Sequence, residues 1–290
     1  MLPADWLRRC DRERRLAPLT TWRIGGPAEF YLEPHTVEEL AESIGGLRRI
    51  GLPYRIIGGG SNLLISDRGV RGAVISLARL NRVSASKDTL VAEAGAQLHS
   101  VVRVAASMGL AGAEALAGIP GRVGGAVYGN AGGKYGNIGS LIKRLDLLDS
   151  DGSVIEVLPA EGFFRYRGSE VGDRIVLRAE LTLEPATVGS VRKRSLEVIR
   201  ERRGSQPGWV GNAGCVFRNP DARSAGWLID NAGCKEERSG GVFVSPRHAN
   251  FFENDGTGCA EDVRRLVERV RDRVRVVHGV ELEIEVRRWV

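Results

Sequence analysis

Apolar residues fall at helical spacing in three stretches. Val37, Leu40, Ala41, Ile44 and Leu47 make one stripe, and Thr36-Val37-Glu38-Glu39 supplies a capping box at its start. Leu98, Val101, Val102, Ala105 and Met108 make a second, with Gly109 placed to end it. Val263, Leu266, Val267, Val270 and Val274 make a third, closed by Gly279. Short apolar runs of strand length occur at Tyr54–Ile57, Leu63–Ile65, Gly72–Leu77 and Ile175–Leu183. Leu145–Leu148 and Val154–Val157 flank Asp151-Gly152, a hairpin signal. Val280–Val286 alternates, with Leu282 and Ile284 on one side and Glu281, Glu283 and Glu285 on the other, which predicts a strand. Residues 1–15 read as a polar arm or short helix, and Val188–Arg203 as a basic, mostly helical connector.

Composition narrows the class. Apolar residues make up 42% of the 290 and charged residues 27%, which suits a globular chain of one large or two ordinary domains. No run of apolar residues is long enough to cross a membrane, and the charged N-terminus has no apolar core of the secretory kind. Cys10, Cys215, Cys234 and Cys259 are too dispersed for a zinc site or a disulfide framework, so no metal and a cytoplasmic location are expected. The formal net charge is +6, and only five of the 42 basic residues are lysine, which leaves 37 arginines. Arginine suits nucleic acid, but also carboxylates and diphosphates gripped in bidentate fashion.

Glycine is the outlier, with 38 of 290 residues against an average of roughly 7%. A dinucleotide fingerprint starting at Gly58 and Gly60 fails, because Leu63 stands where the third glycine belongs and an extended run follows. A phosphate-binding P-loop at Lys134 fails because Tyr135 takes the Ser/Thr slot. Gly58-Gly-Gly-Ser-Asn62, between two strands, can still converge N–H groups on an anion, or be a plain glycine-rich hairpin. Gly118–Gly132 is a second glycine-dense stretch, able to lay bare backbone against a flat ligand or to serve as a loop junction.

Several motifs then recur in one order: Thr20-Thr-Trp-Arg-Ile-Gly-Gly-Pro-Ala28, Ile57–Leu64, Gly118–Ala126, Asn130-Ala-Gly132 and Tyr166-Arg-Gly-Ser169. Gly211–Pro220, Ala225–Asp230, Val244-Ser-Pro-Arg-His-Ala-Asn250 and Leu282–Arg287 complete the series. Across residues 16–288 the chain resembles the UDP-N-acetylenolpyruvoylglucosamine reductases, flavoenzymes of peptidoglycan precursor synthesis. The resemblance implies an α+β fold. A two-lobed FAD-binding domain of the vanillyl-alcohol-oxidase/PCMH type is expected at 16–186 (lobes about 16–80 and 81–186). A smaller substrate-binding domain follows at 187–290. It implies FAD held by Gly58, Gly59, Gly60, Ser61 and Asn62 and by Gly121, Val123, Gly124, Gly125 and Asn130. NADPH is the expected co-substrate: it reduces the flavin and leaves, and N5 then passes hydride to the enolpyruvyl ether.

Three residues inherit catalytic roles from the resemblance. Arg167 matches the arginine that steadies the charge building on the substrate carboxylate, a task suited to a planar guanidinium. Glu285 matches the catalytic glutamate, although its pattern is that of Glu281 and Glu283. Cys215 stands where the family has Ser as proton donor. A thiol, with a reference pKa of about 8.5, is the stronger acid. Arg203, Asn219 and His248 match substrate contacts. Asn130–Gly136 is one residue longer than the family's loop, and Arg218 replaces its Lys. A monomer acting on a small-molecule substrate is expected. Two other readings, an oxidase on the same FAD fold and a basic nucleic-acid binder, lack support: the first does not call for Arg167, Cys215 and Glu285 together, and no nucleic-acid motif occurs.

Overall fold

The computed structural model describes residues 10–208, 210–221 and 223–289. They divide into two compact units interleaved along the sequence. The first holds Phe30–Gly59, Gly72–Arg202 and the described residues before Arg12; the second holds Arg12–Glu29, Gly60–Arg71 and the chain from Arg203 onward. This differs from the sequential cut at 186/187 and from the lobes at 16–80 and 81–186. The reason is long-range pairing, which periodicity does not report. Leu63–Ile65, for example, pairs in parallel with Arg287–Trp289 in the second unit.

The first unit is built on a five-stranded antiparallel sheet. Its order is Val154–Val157, Ile142–Leu148, Ile175–Thr182, Thr89–Glu93, Val83–Ser86. Ala179 stands opposite Leu145 on one side and Ala92 on the other, and all three are fully buried. The charged residues of these strands pair on the outside, as in Lys143–Glu180 and Arg144–Glu156. Helix α1 (Val37–Arg49) buries Leu40, Ile44 and Leu47, and α2 (Leu98–Met108) buries Leu98, Val101, Val102 and Ala105. Each of these Leu, Ile and Val side chains contributes about 1.5–3 kcal/mol on leaving water. Met108 departs from the expected stripe: it is exposed, because it sits in the last turn beside the left-handed cap Gly109. The Thr36 hydroxyl accepts from the Glu39 N–H, but the Glu39 carboxylate reaches back to His35 N, one residue before the cap. Two further helices are α3 (Val123–Tyr128) and α4 (Val188–Ser205), the end of α4 passing into the second unit.

The second unit closes around Trp22, Phe217, Phe252, Leu266, Val270, Val274 and Leu282. Its helices are α5 (Ala225–Asn231) and α6 (Ala260–His278). The Asp67 carboxylate caps α6 by accepting from Ala260 N (2.8 Å) and Glu261 N (3.2 Å), placing negative charge at the positive end of the helix. Two sequence expectations are corrected. Of the stretch read as a polar arm or short helix, Asp11–Arg15 is an exposed strand, and residues 1–9 lie outside the described residues. Val280–Val286 keeps its alternation in burial, with Leu282 and Val286 inside and Glu281 and Glu283 outside, but it is not a continuous strand. Its only bridge among the described residues joins Ile284 to Phe217; the strand itself is Arg287–Trp289.

Candidate active site

In the first unit the two glycine stretches meet. A Cβ on Gly59 would lie 2.8 Å from the Gly121 Cα and 3.3 Å from its carbonyl carbon, so backbone rests on backbone and no side chain fits. A Cβ on Gly58 would lie 3.9 Å from Gly125 N. Gly124 is backed by Ala94, whereas a Cβ on Gly125 would meet nothing within 4 Å. The Val123 and Gly124 N–H groups donate to Ala96 O (2.9 Å) and Ala94 O (2.8 Å), and the Val123 side chain is buried. Val123 therefore fixes the loop, while Gly58 and Gly125 leave bare backbone for a ligand. Arg122, between them, donates to Gly95 O at 2.5 Å; burial lowers its pKa, against the opposing charges of Glu33 and Tyr31. The remainder of the glycine triplet begins a segment of the second unit. Gly60 is left-handed (φ 59°), and a Cβ there would collide with the Leu19 carbonyl. Its own carbonyl accepts from Thr21 N at 3.1 Å. Ser61 and Asn62 follow, with the Asn62 carbonyl accepting from Arg287 N at 3.2 Å.

Arg167 sits at the tip of a tight hairpin in which Phe164 pairs with Ser169 and Arg165 with Gly168. Its φ of 59° is unusual for a side chain of this size and is held by the surroundings. Arg167 Nη1 donates to Gly132 O (3.0 Å), and Ser169 Oγ donates to Tyr128 O (3.0 Å). Asn130 Nδ2 donates to Arg165 O (2.9 Å) while its Oδ1 accepts from Gly139 N (3.0 Å). Each end of this buried amide bonds to backbone, so Asn130 anchors the Arg167 hairpin.

In the second unit Cys215 lies on a segment held from both sides. Cys215 bridges to Phe251 and Phe217 to Ile284. Val216 N donates to Asn250 O, and Glu285 N to Val216 O, each at 2.8 Å. Glu285 is half-buried, while Glu281 and Glu283 are exposed and paired with Arg271 and Arg218. Burial therefore singles out the one glutamate that the sequence pattern left equivalent to its neighbours. Asn250, which sequence reasoning did not single out, is buried and braces this segment: its Oδ1 accepts from Phe217 N (2.9 Å) and its Nδ2 donates to Phe217 O (2.8 Å). Its place in the Val244–Asn250 motif was the available signal.

The expected substrate residues all lie in the second unit. Asn219 Oδ1 accepts from Ala225 N (3.0 Å), and the residue lines a cavity of about 420 Å³ with Asp221, Arg223 and Trp227. His248 Nδ1 accepts from Asn250 N (3.3 Å) and its ring meets Phe251 edge-on, so it is a well-packed histidine. Burial, then Lys235, pushes its pKa below the ordinary value. Arg203 is exposed at the end of α4, its carbonyl accepting from Arg247 Nη1 at 3.1 Å.

Two family models match: an FAD binding domain over residues 28–158, and the C-terminal domain of UDP-N-acetylenolpyruvoylglucosamine reductase over residues 206–289. A reductase of that name from Moorella thermoacetica is 41% identical, with 93% of this chain and 90% of the relative covered. One from Rubrobacter xylanophilus is 42% identical over 92% and 91%. The chain belongs to the UDP-N-acetylenolpyruvoylglucosamine reductase family. The crystal structure of such a reductase from Thermus caldophilus superposes with a TM-score of 0.85 at 37% identity, covering 97% of this chain and 99% of that one. The α+β fold with an FAD-binding domain and a C-terminal domain is that of these reductases, and an oxidoreductase with FAD as cofactor follows. No described helix is long and apolar enough to cross a membrane.

Proposed function

We propose that the protein reduces the enolpyruvyl ether of UDP-N-acetylglucosamine to UDP-N-acetylmuramate, with NADPH as the reductant, as a cytoplasmic monomer serving peptidoglycan precursor synthesis. The observation that carries this reading is the stitching of Glu285 to Val216, which sets a half-buried carboxyl beside the Cys215 segment. The bare backbone of Gly58 and Gly125 fits a diphosphate and a flat ring, with Gly59 and Gly121 packed together to hold the two stretches and Gly60, Ser61 and Asn62 next along the chain. Bound there, FAD supplies the hydride.

The chain's own residues handle charge and protons. Hydride addition to the terminal vinyl carbon turns the carboxylate and the adjacent carbon into an enediolate, adding one negative charge. Arg167 meets that charge with a planar two-pronged donor held at a hairpin tip. Cys215 gives its thiol proton to the carbon next to the carboxylate, and the thiolate recovers a proton from solvent. Glu285 polarises the carboxylate or orients the donor. Arg203 and Asn219 grip the substrate's diphosphate, and His248 makes a further substrate contact.

The test is anaerobic. The flavoprotein is reduced with NADPH, the enolpyruvyl substrate is added, and the oxidised flavin band is followed. Its rapid return with formation of the muramate product is expected; a band that stays bleached overturns the reading.

A further inference from the structure

Trp227, in the second unit, is 45% exposed, although it belongs to α5, whose Ala225, Leu228 and Ile229 are buried. An indole is a large apolar surface to leave in water. Its backbone is fixed. The Ser224 hydroxyl accepts from Trp227 N (3.3 Å), and Asn219 Oδ1 ties the start of the same turn by accepting from Ala225 N (3.0 Å). Its ring is flanked as well. The His278 ring lies 5.6 Å away, tilted by 45°, and the guanidinium carbon of the exposed Arg223 lies over the indole at 5.0 Å. Trp227, Arg223 and Asp221 line the cavity of about 420 Å³ that begins at Asn219. Asp221 is exposed, and among the described residues no cation is paired with its carboxylate.

These groups suit one kind of ligand. A flat aromatic ring stacks on an indole, and a guanidinium covers the other face of such a ring. The cavity has the size of a site for a small organic group. A carboxylate in its lining accepts from a ring that carries an N–H. Uracil carries one at N3, and in the proposed substrate it sits beyond the diphosphate assigned to Asn219. We propose that this cavity is the base pocket for the substrate's nucleotide: uracil lies on the Trp227 indole, the Arg223 side chain lifts to admit it and closes on its outer face, and Asp221 accepts from N3–H. This rests on the function proposed above. The pocket rejects cytosine, whose N3 is an acceptor and meets the carboxylate with no proton between them.

The test titrates the FAD-loaded protein with UDP and with CDP in a calorimeter, then times reoxidation of the reduced protein over a series of substrate concentrations. Trp227→Ala is expected to weaken UDP binding roughly 5–150-fold, the range for losing the aromatic partner of a stacked base. The half-saturating concentration of the enolpyruvyl substrate is expected to rise with it, with a smaller effect on the rate at saturation. Trp227→Phe is expected to recover part of the affinity. The parent is expected to prefer UDP to CDP by roughly 10-fold, and Asp221→Asn, whose amide both donates and accepts, to lose most of that preference. A parent that binds no UDP overturns the proposal, as does a Trp227→Ala variant that binds it as tightly as the parent. Equal binding of UDP and CDP by the parent overturns the role of Asp221. Two Trp227 variants that both lose FAD and melting temperature make the indole a strut of the fold and overturn the pocket too. A parent that binds UDP through Trp227 yet is not reoxidised by the enolpyruvyl substrate points instead to failure of the proposed function.

Discussion

Glu285 donates its backbone N–H to the Val216 carbonyl at 2.8 Å, and on the other edge of the same segment Val216 donates to Asn250. The residue next to Cys215 is thereby clamped between two chains that are far apart in sequence. The thiol and the Glu285 carboxyl belong to one rigid element of the second unit, not to separate mobile loops. That rigidity matters for proton donation, which tolerates little error in distance.

Replacing Cys215 with Ala is expected to leave reduction of the flavin by NADPH intact and to slow its reoxidation by substrate about 10²–10⁴-fold, the usual contribution of a positioned acid. Cys215→Ser is expected to retain measurable turnover, because a hydroxyl fits the space of a thiol. Stopped-flow absorbance of the two half-reactions checks both. Undiminished product formation in the Ala variant removes Cys215 from the proton step.

The glycine loops make a paired prediction. Gly59→Ala drives a methyl into the Gly121 backbone, so the loops must part, and both melting temperature and FAD content are expected to fall. Gly125→Ala meets open space within the protein and is expected to leave the melting temperature of the apoprotein unchanged while weakening FAD retention. Flavin-to-protein absorbance ratios after gel filtration, with thermal unfolding, separate the two. Full FAD retention in Gly125→Ala takes that position out of the cofactor site.

The sequence carried the local elements well and the long-range ones poorly. Leu40, Ile44 and Leu47 lie inside α1, and the Val263–Val274 stripe lies inside α6, because helical spacing is a property of neighbours in the chain. The glycine clusters were visible as clusters, but that Gly59 rests on Gly121 depends on residues 62 positions apart. Residues 280–286 alternate as a strand should, yet alternation records burial alone, and a strand also needs a partner along its length. Glu285 could not be told from Glu281 and Glu283 for the same reason: the difference lies in what Val216 and Phe217 bring alongside. Asn130 was placed in the cofactor site by motif, and only its two amide bonds show that it anchors the Arg165 carbonyl.

Asn130→Ala is accordingly expected to act on stability and on Arg167 together. It removes the hydrogen bonds to the Arg165 carbonyl and the Gly139 N–H, at about 0.5–1.5 kcal/mol each, and it puts Ala at a φ of 45° that Asn tolerates better. Thermal unfolding is expected at a lower temperature. In the protein that remains folded, reoxidation by substrate is expected to slow more than reduction by NADPH, since the hairpin holding Arg167 has lost an anchor. Equal slowing of both half-reactions contradicts that link.

Asn250→Ala is expected to be more damaging than its single position suggests. It removes both side-chain bonds to Phe217 while leaving the buried Phe217 N–H and carbonyl in place, so each forfeits a partner at about 1–3 kcal/mol. Asn250→Asp keeps the acceptor for Phe217 N but sets a buried carboxylate oxygen against the Phe217 carbonyl, and is also expected to lower the denaturant midpoint. A midpoint for Ala equal to that of the parent contradicts the bracing role.

His248 supplies a pH prediction whose sign follows from its burial. Its folded-state pKa lies below the ordinary 6.5, with burial the larger cause and the charge of Lys235 the smaller, opposed by a backbone hydrogen bond. Between the lowered value and about 6.5 the unfolded chain binds a proton that the folded chain does not, so stability rises with pH through that window and levels off above it. Acidification from neutral pH is therefore expected to weaken the fold. His248→Asn, which has no proton to take up, is expected to flatten that part of the profile, even if it lowers stability at neutral pH through lost packing on Phe251. Urea midpoints measured at steps from pH 7.5 down to about pH 5, for parent and variant, give the comparison. A parent and variant with parallel profiles show that His248 is protonated in the folded state as readily as in the unfolded one.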